Sequence, residues 1–205
     1  IARMMLPEDH LGDLVASGTH PHLGCGHGAP STRTAGYRYA EMGYVACFEP
    51  AMLAANARQA HLELADTPMV DKGAYVLLGN DDFFLRALAA GRDPQYLQDY
   101  VAWTLRAAQA LAIKVVNPGG INAFKFNQRK LDLDEENRGY GVTPRQILLA
   151  LASAVQGLGL AHPLHIHGCN LGVPGNVETT LETIRGLEGL RAHLTHVQFH
   201  SYGTE

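Results

Sequence analysis

The chain has 205 residues, of which 46% are hydrophobic and 18% are charged, a composition typical of a globular domain and not of a disordered chain. Its formal net charge of -4 excludes the basic surface expected of nucleic-acid-binding proteins and of proteins that bind anionic membranes. No apolar run reaches the length of about 18 residues needed for a membrane-spanning helix. The three cysteines form no Cys-x-x-Cys motif, which favours a reducing, cytoplasmic location.

Short β-prone runs and helical segments alternate along most of the chain. The first 36 residues are rich in Gly, Pro and Ser and are predicted to be mostly loop. Strands are predicted at 44–48, 75–79, 113–117, 163–167 and 194–199. Helices are predicted at 51–64, 81–91, 94–111, 143–159 and 176–189.

This alternation, without hairpin signals between the strands, predicts βαβ crossovers and a parallel sheet. Polar residues follow the strands in "VLLGND", "KVVNPGG" and "LHIHGCN", and the C-terminal strand ends carry the active site of a TIM barrel. A whole barrel takes about 250 residues. We therefore expect an α/β, TIM-like (β/α)8 barrel represented by its central segment, residues 1–205, with about five βα units and the first and last strands outside the chain. The alternative is a doubly wound sheet, but no GxGxxG motif follows a first strand.

Histidines mark the ends of two predicted strands. The chain has eleven histidines, about twice the usual share. His165 and His167 are two residues apart on one strand, so their side chains point to the same face, with His167 nearer the end. His196 follows one βα unit later, and histidines on adjacent strand ends can share a zinc ion. The alternative is that these are hydrogen-bonded histidines of a core or loop.

Lys114 lies inside the apolar strand "AIKVVN". A lysine is almost never buried unless it is paired or neutralised. It either lies on an edge strand and extends to water, or it is a buried lysine whose pKa is lowered for a functional purpose.

Several blocks of the sequence resemble a known family. "RMMLPEDH", "YAEMGYV", "ARQAHLELADTPMVDKGAYVLLGN", "IKVVNPGG", "HGCNLGVPGNVETTLET" and "HLTHVQFHSYG" together resemble the A subunit of formylmethanofuran dehydrogenase, over essentially the whole chain. The segment "NAFKFNQRKLDLDEENRGYGVTPRQIL" is more similar to the bacterial branch, the A subunit of the formyltransferase/hydrolase complex.

That family belongs to the amidohydrolase superfamily, so the resemblance implies a (β/α)8 barrel with two zinc ions bridged by a carboxylated lysine. Carried over by position, Lys114 would be the bridging carbamate, and His167 and His196 would be the zinc ligands from strands five and six. The family's strand-one His-x-His and its late strand-eight Asp are missing. The "HPH" at 20–22 lies in a predicted loop and is not assigned, so we expect the chain alone to form an incomplete, inactive site.

The resemblance also implies a reaction and its setting. It implies hydrolysis of N-formylmethanofuran-type formyl amides to formate and a free amine in one-carbon metabolism, namely formaldehyde oxidation. It further implies a methanofuran-type carrier as substrate and a cytoplasmic complex with other subunits. Asn170, His200 and Tyr39 are candidates for orienting the substrate, although loop structure and helix capping explain them equally well. The alternatives are the archaeal enzyme running in the CO2-fixing direction, a catalytically inert structural barrel, and an unrelated metal-free barrel enzyme.

Overall fold

The computed structural model describes residues 32–120 and 130–200. Within these ranges the strands are β1 (Ala46–Met52), β2 (Asp71–Leu77), β3 (Ala112–Val116), β4 (Leu164–His167) and β5 (Ala192–Leu194). The α-helices are α1 (Thr32–Glu41), α2 (Ala57–Ala65), α3 (Asp82–Ala89), α4 (Pro94–Ala107), α5 (Pro144–Gly157) and α6 (Val177–Gly186). Two short 3-10 helices cover Ala54–Asn56 and Val197–Phe199. No helix in the described ranges is both long and apolar enough to cross a membrane.

The strands form one five-stranded sheet, and their spatial order β1 to β5 is also their order in the chain. The pairings of β3 with β4 and of β4 with β5 are parallel. A doubly wound sheet reverses its strand order at a switch point, and the five described strands show no reversal. This arrangement confirms the predicted parallel sheet with strands adjacent in chain order, and it favours the barrel over the doubly wound alternative.

The chain divides into two compact units, Ile1–Tyr75 and Val76–Glu205, with the boundary inside β2. In the first unit α1 approaches the segment before β2 closely. A Cβ on Gly36 would clash with the carbonyl oxygen of Pro68, so only glycine fits there. On β1 and β2, the rings of Phe48 and Tyr75 stack with centroids 5.8 Å apart.

The core of the second unit forms around β3 and β4. Four of the five β3 residues are buried, as expected of a parallel strand covered on both faces. On β4, Leu164 and Ile166 are buried on one face, whereas His165 and His167 are half-buried on the other. Helix α5 packs on both strands and on α4. The largest fully buried side chains of this unit include Phe84, Leu85, Val101, Ile113, Val115, Ile147 and Leu151.

The predicted start of α5 is confirmed in detail. Thr143 Oγ1 accepts a hydrogen bond from Gln146 N at 3.2 Å, and Gln146 Oε1 accepts one from Thr143 N at 2.8 Å. This reciprocal pair is a capping box, and Pro144 occupies the first helical position. The helix therefore begins at the residue that the sequence indicated.

Three predicted boundaries differ most from the structure. The predicted loop over residues 1–36 fails at 32–36, which belong to α1; residues 1–31, including the "HPH" motif, lie outside the described residues. Strand β1 continues through Pro50 to Met52, so the helix predicted from residue 51 starts at Ala57. Proline is tolerated there because β1 is the outermost strand of the described sheet, where a missing N–H need not interrupt a ladder.

The last predicted strand, 194–199, was also wrong. Strand β5 ends at Leu194, and Val197–Phe199 forms a 3-10 helix. The change of direction occurs at His196, whose backbone φ is 59°, in the left-handed region that no strand residue adopts. His196 consequently lies just after a strand and not within one.

Candidate metal centre

Lys114 is buried in the described sheet between two neighbouring strands. Its exposed fraction is 2%, and β3 lies between β2 and β4, so the alternative of an edge-strand lysine extending to water is wrong. Its Nζ lies 2.8 Å from His165 Nδ1 and donates to Thr195 Oγ1 at 3.4 Å. The Lys114 amine is thus held by side chains of β4 and of the segment that follows β5.

The strand register explains why Lys114 meets His165. Lys114 is opposite His165 in the β3–β4 pairing, and His165 is opposite His193 in the β4–β5 pairing. The rings of His165 and His193 meet edge to face, with centroids 4.7 Å apart. These three residues form one layer across the sheet, and His167 is in the next layer, opposite Val116.

The outer layer contains the two predicted ligands. The rings of His167 and His196 have centroids 5.1 Å apart at an interplanar angle of 75°. Neither ring has a hydrogen bond to another residue in the part of the chain that the structure describes. The positive φ of His196 is a strained conformation for a non-glycine residue, and such strain often occurs at functional sites.

Burial lowers the pKa of every basic group in this cluster, so the three imidazoles are uncharged at neutral pH and the Lys114 amine loses its proton more readily than usual. Burial lowers the pKa of Lys114 from 10.5 to about 8. Burial, followed by the charge of Lys114, lowers the pKa of His165 to about 3. Burial, followed by the charge of His196, lowers the pKa of His167 to about 4, and burial is also the first cause of the lowered pKa of His196. Neutral imidazole is the form that binds metal ions.

Donor chemistry tests whether these residues fit the implied zinc ions. Zinc sites in proteins use imidazole nitrogen and carboxylate oxygen, and His167 and His196 supply two neutral imidazoles with unengaged nitrogens. Lys114 becomes an oxygen donor only after carboxylation, which the lowered pKa of its amine favours. Among the described residues no group of three or more His, Cys, Asp or Glu could hold a metal ion. The donors therefore fit one side of a zinc site, to which further ligands must be added.

The predicted substrate-orienting residues have other contacts. His200 is 6% exposed, and its Nε2 and Nδ1 lie 2.5 Å from Thr195 O and 3.1 Å from Thr180 Oγ1. Asn170 Oδ1 accepts from Leu131 N at 3.2 Å, and its Nδ2 donates to Asp132 Oδ1 at 2.7 Å. Both side chains thus support loops near the strand ends.

Tyr39 belongs to the first unit. Its ring is 42% exposed and meets Tyr44 edge to face at 5.5 Å. It lines a cavity of about 220 Å³ together with residues that include Cys47, Phe48 and Lys72.

Sequence reasoning did not identify Thr195, and it placed His165 on the same face as His167 without assigning it a contact. The sequence indicated that His165 faces the same way as His167, but its contact with Lys114 follows from the β3–β4 register. No sequence signal indicated Thr195, which lies beyond the end of β5.

Similarity to known proteins identifies the family of the chain. The sequence pattern of the Amidohydrolase family matches residues 10–205. The chain belongs to the amidohydrolase family. Among its family relatives, it is 41% identical over 203 residues to the A subunit of the formyltransferase/hydrolase complex Fhc of Methylorubrum extorquens. It is also 41% identical over 214 residues to the protein FwdA of Methanocaldococcus jannaschii. These alignments cover 99% of the chain but 36% and 37% of the two relatives, so the chain spans somewhat more than a third of their length.

A solved amidohydrolase structure confirms the fold. The chain superposes with a TM-score of 0.87, at 40% identity, on a crystal structure of the formyltransferase/hydrolase complex FhcABCD from Methylorubrum extorquens with methylofuran. The match covers 100% of the chain and 38% of that structure's chain. The predicted α/β, partial TIM-like barrel is confirmed by this match together with the parallel sheet.

Proposed function

We propose that the chain forms the zinc-binding centre of an A subunit of the Fhc and Fwd type, which hydrolyses the N-formyl amide of a methanofuran-type carrier to formate and free amine. The observation that carries this proposal is the buried Lys114 amine beside neutral imidazoles at consecutive strand ends. Its support is the 41% identity to the A subunit of the Fhc complex and to FwdA.

In this proposal, Lys114 as a carbamate, together with His167 and His196, would hold the two zinc ions. When bound, the zinc ions supply Lewis acidity toward the formyl carbonyl. The chain's own contribution is to keep both imidazoles uncharged and free of competing hydrogen bonds, so that neither has to lose a proton before it binds. The left-handed backbone at His196 turns the chain just after the strand end, where the His196 ring lies beside that of His167.

Asn170 and His200 are better suited to stabilising loops than to binding a substrate, because their polar side-chain atoms already form hydrogen bonds within the protein. Substrate orientation by either residue, or by Tyr39, remains a prediction. By the same proposal the A subunit works in a complex with other subunits, because the solved relative is the FhcABCD assembly with methylofuran. A cytoplasmic location is part of the proposal and rests on the absence of a Cys-x-x-Cys motif among the three cysteines.

The archaeal direction is the second candidate. The identity to the archaeal FwdA is 41%, equal to the identity to the bacterial relative, so overall similarity does not separate hydrolysis from formyl-amide synthesis. The bacterial character of the segment "NAFKFNQRKLDLDE" favours hydrolysis, although residues 121–129 lie outside the described ranges.

The test uses the full-length protein purified with its partner subunits. We expect formate release from an N-formyl carrier amide, loss of that release after chelation, and its recovery when zinc is added back. Residues 1–205 expressed alone should release none, because they supply one side of the site. Formate release that survives complete zinc removal would disprove the metal-dependent mechanism, and no release by the zinc-loaded complex would favour the inert structural barrel.

A further inference from the structure

We propose that His165 is a positioning residue for Lys114: its Nδ1 accepts the single N–H that Lys114 keeps after carboxylation and thereby fixes the plane of the carbamate. This inference rests on the proposed function, because only a carboxylated lysine has such an N–H to place. The contact that carries it is the 2.8 Å distance between Lys114 Nζ and His165 Nδ1.

The chemistry of the modification creates the need for an acceptor. Carboxylation joins Lys114 Nζ to the carbon of CO2 and releases one proton to water, so an amine with two hydrogens becomes a carbamate nitrogen with one. That nitrogen is planar, so the direction of its N–H determines the direction of both carboxylate oxygens. A buried N–H without an acceptor loses its hydrogen bond to water and gains none in return, so the orientation that finds an acceptor is strongly preferred.

Two atoms near Lys114 Nζ could accept this hydrogen bond. His165 Nδ1 is the closer at 2.8 Å, and Thr195 Oγ1 is at 3.4 Å. The Thr195 hydroxyl hydrogen is directed to Ile166 O at 3.1 Å, so Thr195 is itself fixed and leaves its lone pairs toward Lys114. We therefore assign the main role to His165 and a secondary role to Thr195.

The strand register gives His165 a fixed place. It is opposite Lys114 on one side and opposite His193 on the other, and the His193 ring meets it edge to face at 4.7 Å. His167, two residues further along, contacts His196 instead. The two histidines of β4 thus have different roles, the inner one holding the lysine and the outer one left to bind metal.

Substitutions at His165 can separate hydrogen bonding from packing. His165→Phe keeps a ring against His193 and removes the acceptor. His165→Asn keeps an acceptor at the δ position, and His165→Gln moves it one bond further out. The matched control is His162→Asn, two residues before the start of β4.

The experiment uses the full-length protein with its partners, stripped of zinc and CO2. Labelled ¹³C-bicarbonate is titrated in with excess zinc, and the carbamate ¹³C NMR signal gives the bicarbonate concentration for half-carboxylation. We expect His165→Phe to raise this midpoint about 10–100-fold, the range typical of residues that support a metal ligand. The midpoint of His165→Asn should lie close to that of the wild type, and the midpoint of His165→Gln should lie between those of His165→Asn and His165→Phe. The His162→Asn control should have the wild-type midpoint.

The outcomes separate the two proposals. The positioning role would be overturned if the bicarbonate midpoint of His165→Phe equalled that of the wild type, or if the Asn and Gln variants had equal midpoints. Either result would leave the proposed function intact. A wild-type protein that gives the carbamate signal but releases no formate would overturn the proposed function and not the positioning role. Absence of the signal in the wild type would overturn both. If the Phe variant does not fold, the order of the Asn and Gln variants decides the question.

Discussion

Replacing Lys114 by methionine should stabilise the metal-free protein while abolishing its zinc centre. Burial lowers the pKa of the Lys114 amine from 10.5 to about 8, and a change of that size corresponds to about 3 kcal/mol against folding while the amine is charged. Methionine removes the charge at similar length. It also removes the hydrogen bond to His165, worth about 1 kcal/mol. The net gain at pH 7 is therefore about 2 kcal/mol.

The sign of the pH dependence follows from the lowered pKa. Below the folded pKa of about 8 the amine is charged in both folded and unfolded chains, so the wild type carries the full penalty. Between about 8 and 10.5 the unfolded chain binds more protons than the folded chain, so wild-type stability rises with pH. The advantage of Lys114→Met should consequently shrink as pH rises through this window, and above it the lost hydrogen bond should make the variant slightly less stable.

Hydrogen–deuterium exchange with mass spectrometry measures this effect in the full-length protein. The amides of β3 and β4 should exchange more slowly in Lys114→Met than in the wild type at pH 7, and the difference should narrow at pH 9.5. Lys130→Met is the control, because Lys130 is exposed and its charge remains in water. Faster exchange of β3 in Lys114→Met at pH 7 would show that the buried amine is not a destabilising charge.

Two further predictions concern burial and close packing in the second unit. Burial raises the pKa of the Cys169 thiol to about 12, so iodoacetamide at pH 8 should modify half-buried Cys47 and leave Cys169 unmodified. Peptide mass spectrometry measures the two modification rates, and equal rates would contradict the buried placement of Cys169. Gly79→Ala should destabilise by about 1–3 kcal/mol in urea unfolding, because its Cβ would lie 2.6 Å from Val115 Cγ1. Gly168→Ala, whose Cβ would meet only one ring carbon at 3.9 Å, should change stability by less than about 0.5 kcal/mol, and equal losses would refute the packing argument.

The parts of the fold that local chemistry determines were predictable. Strand-helix alternation and the Thr143–Pro144 helix start depend on adjacent residues, and the structure confirms both. Helix α1 was missed because Gly36 and a polar sequence argue against a helix, whereas the reason for that glycine is the distant Pro68. The end of β5 was missed because the apolar run continues past His196, and periodicity does not reveal a left-handed backbone.

The sequence predicted which strand ends carry the candidate site, but not which residues of neighbouring strands lie opposite one another. Lys114, His167 and His196 were chosen because each lies near a strand end. Which histidine meets Lys114 depends on the β3–β4 register, and a shift of two residues would exchange the roles of His165 and His167. Register is set by long-range pairing, so a single strand's sequence does not contain it.

Zinc content measured by elemental analysis, together with formate release, decides whether His167 is a metal ligand. The samples are the full-length complex in its wild-type, His167→Ala and His165→Ala forms. We expect His167→Ala to lose zinc and activity, because a metal ligand is gone, whereas His165→Ala should retain weakened zinc binding and lose about 10–100-fold in activity. Equal zinc in the His167→Ala and wild-type proteins would contradict the assignment of His167 as a ligand, as would zinc lost from the His165→Ala protein alone.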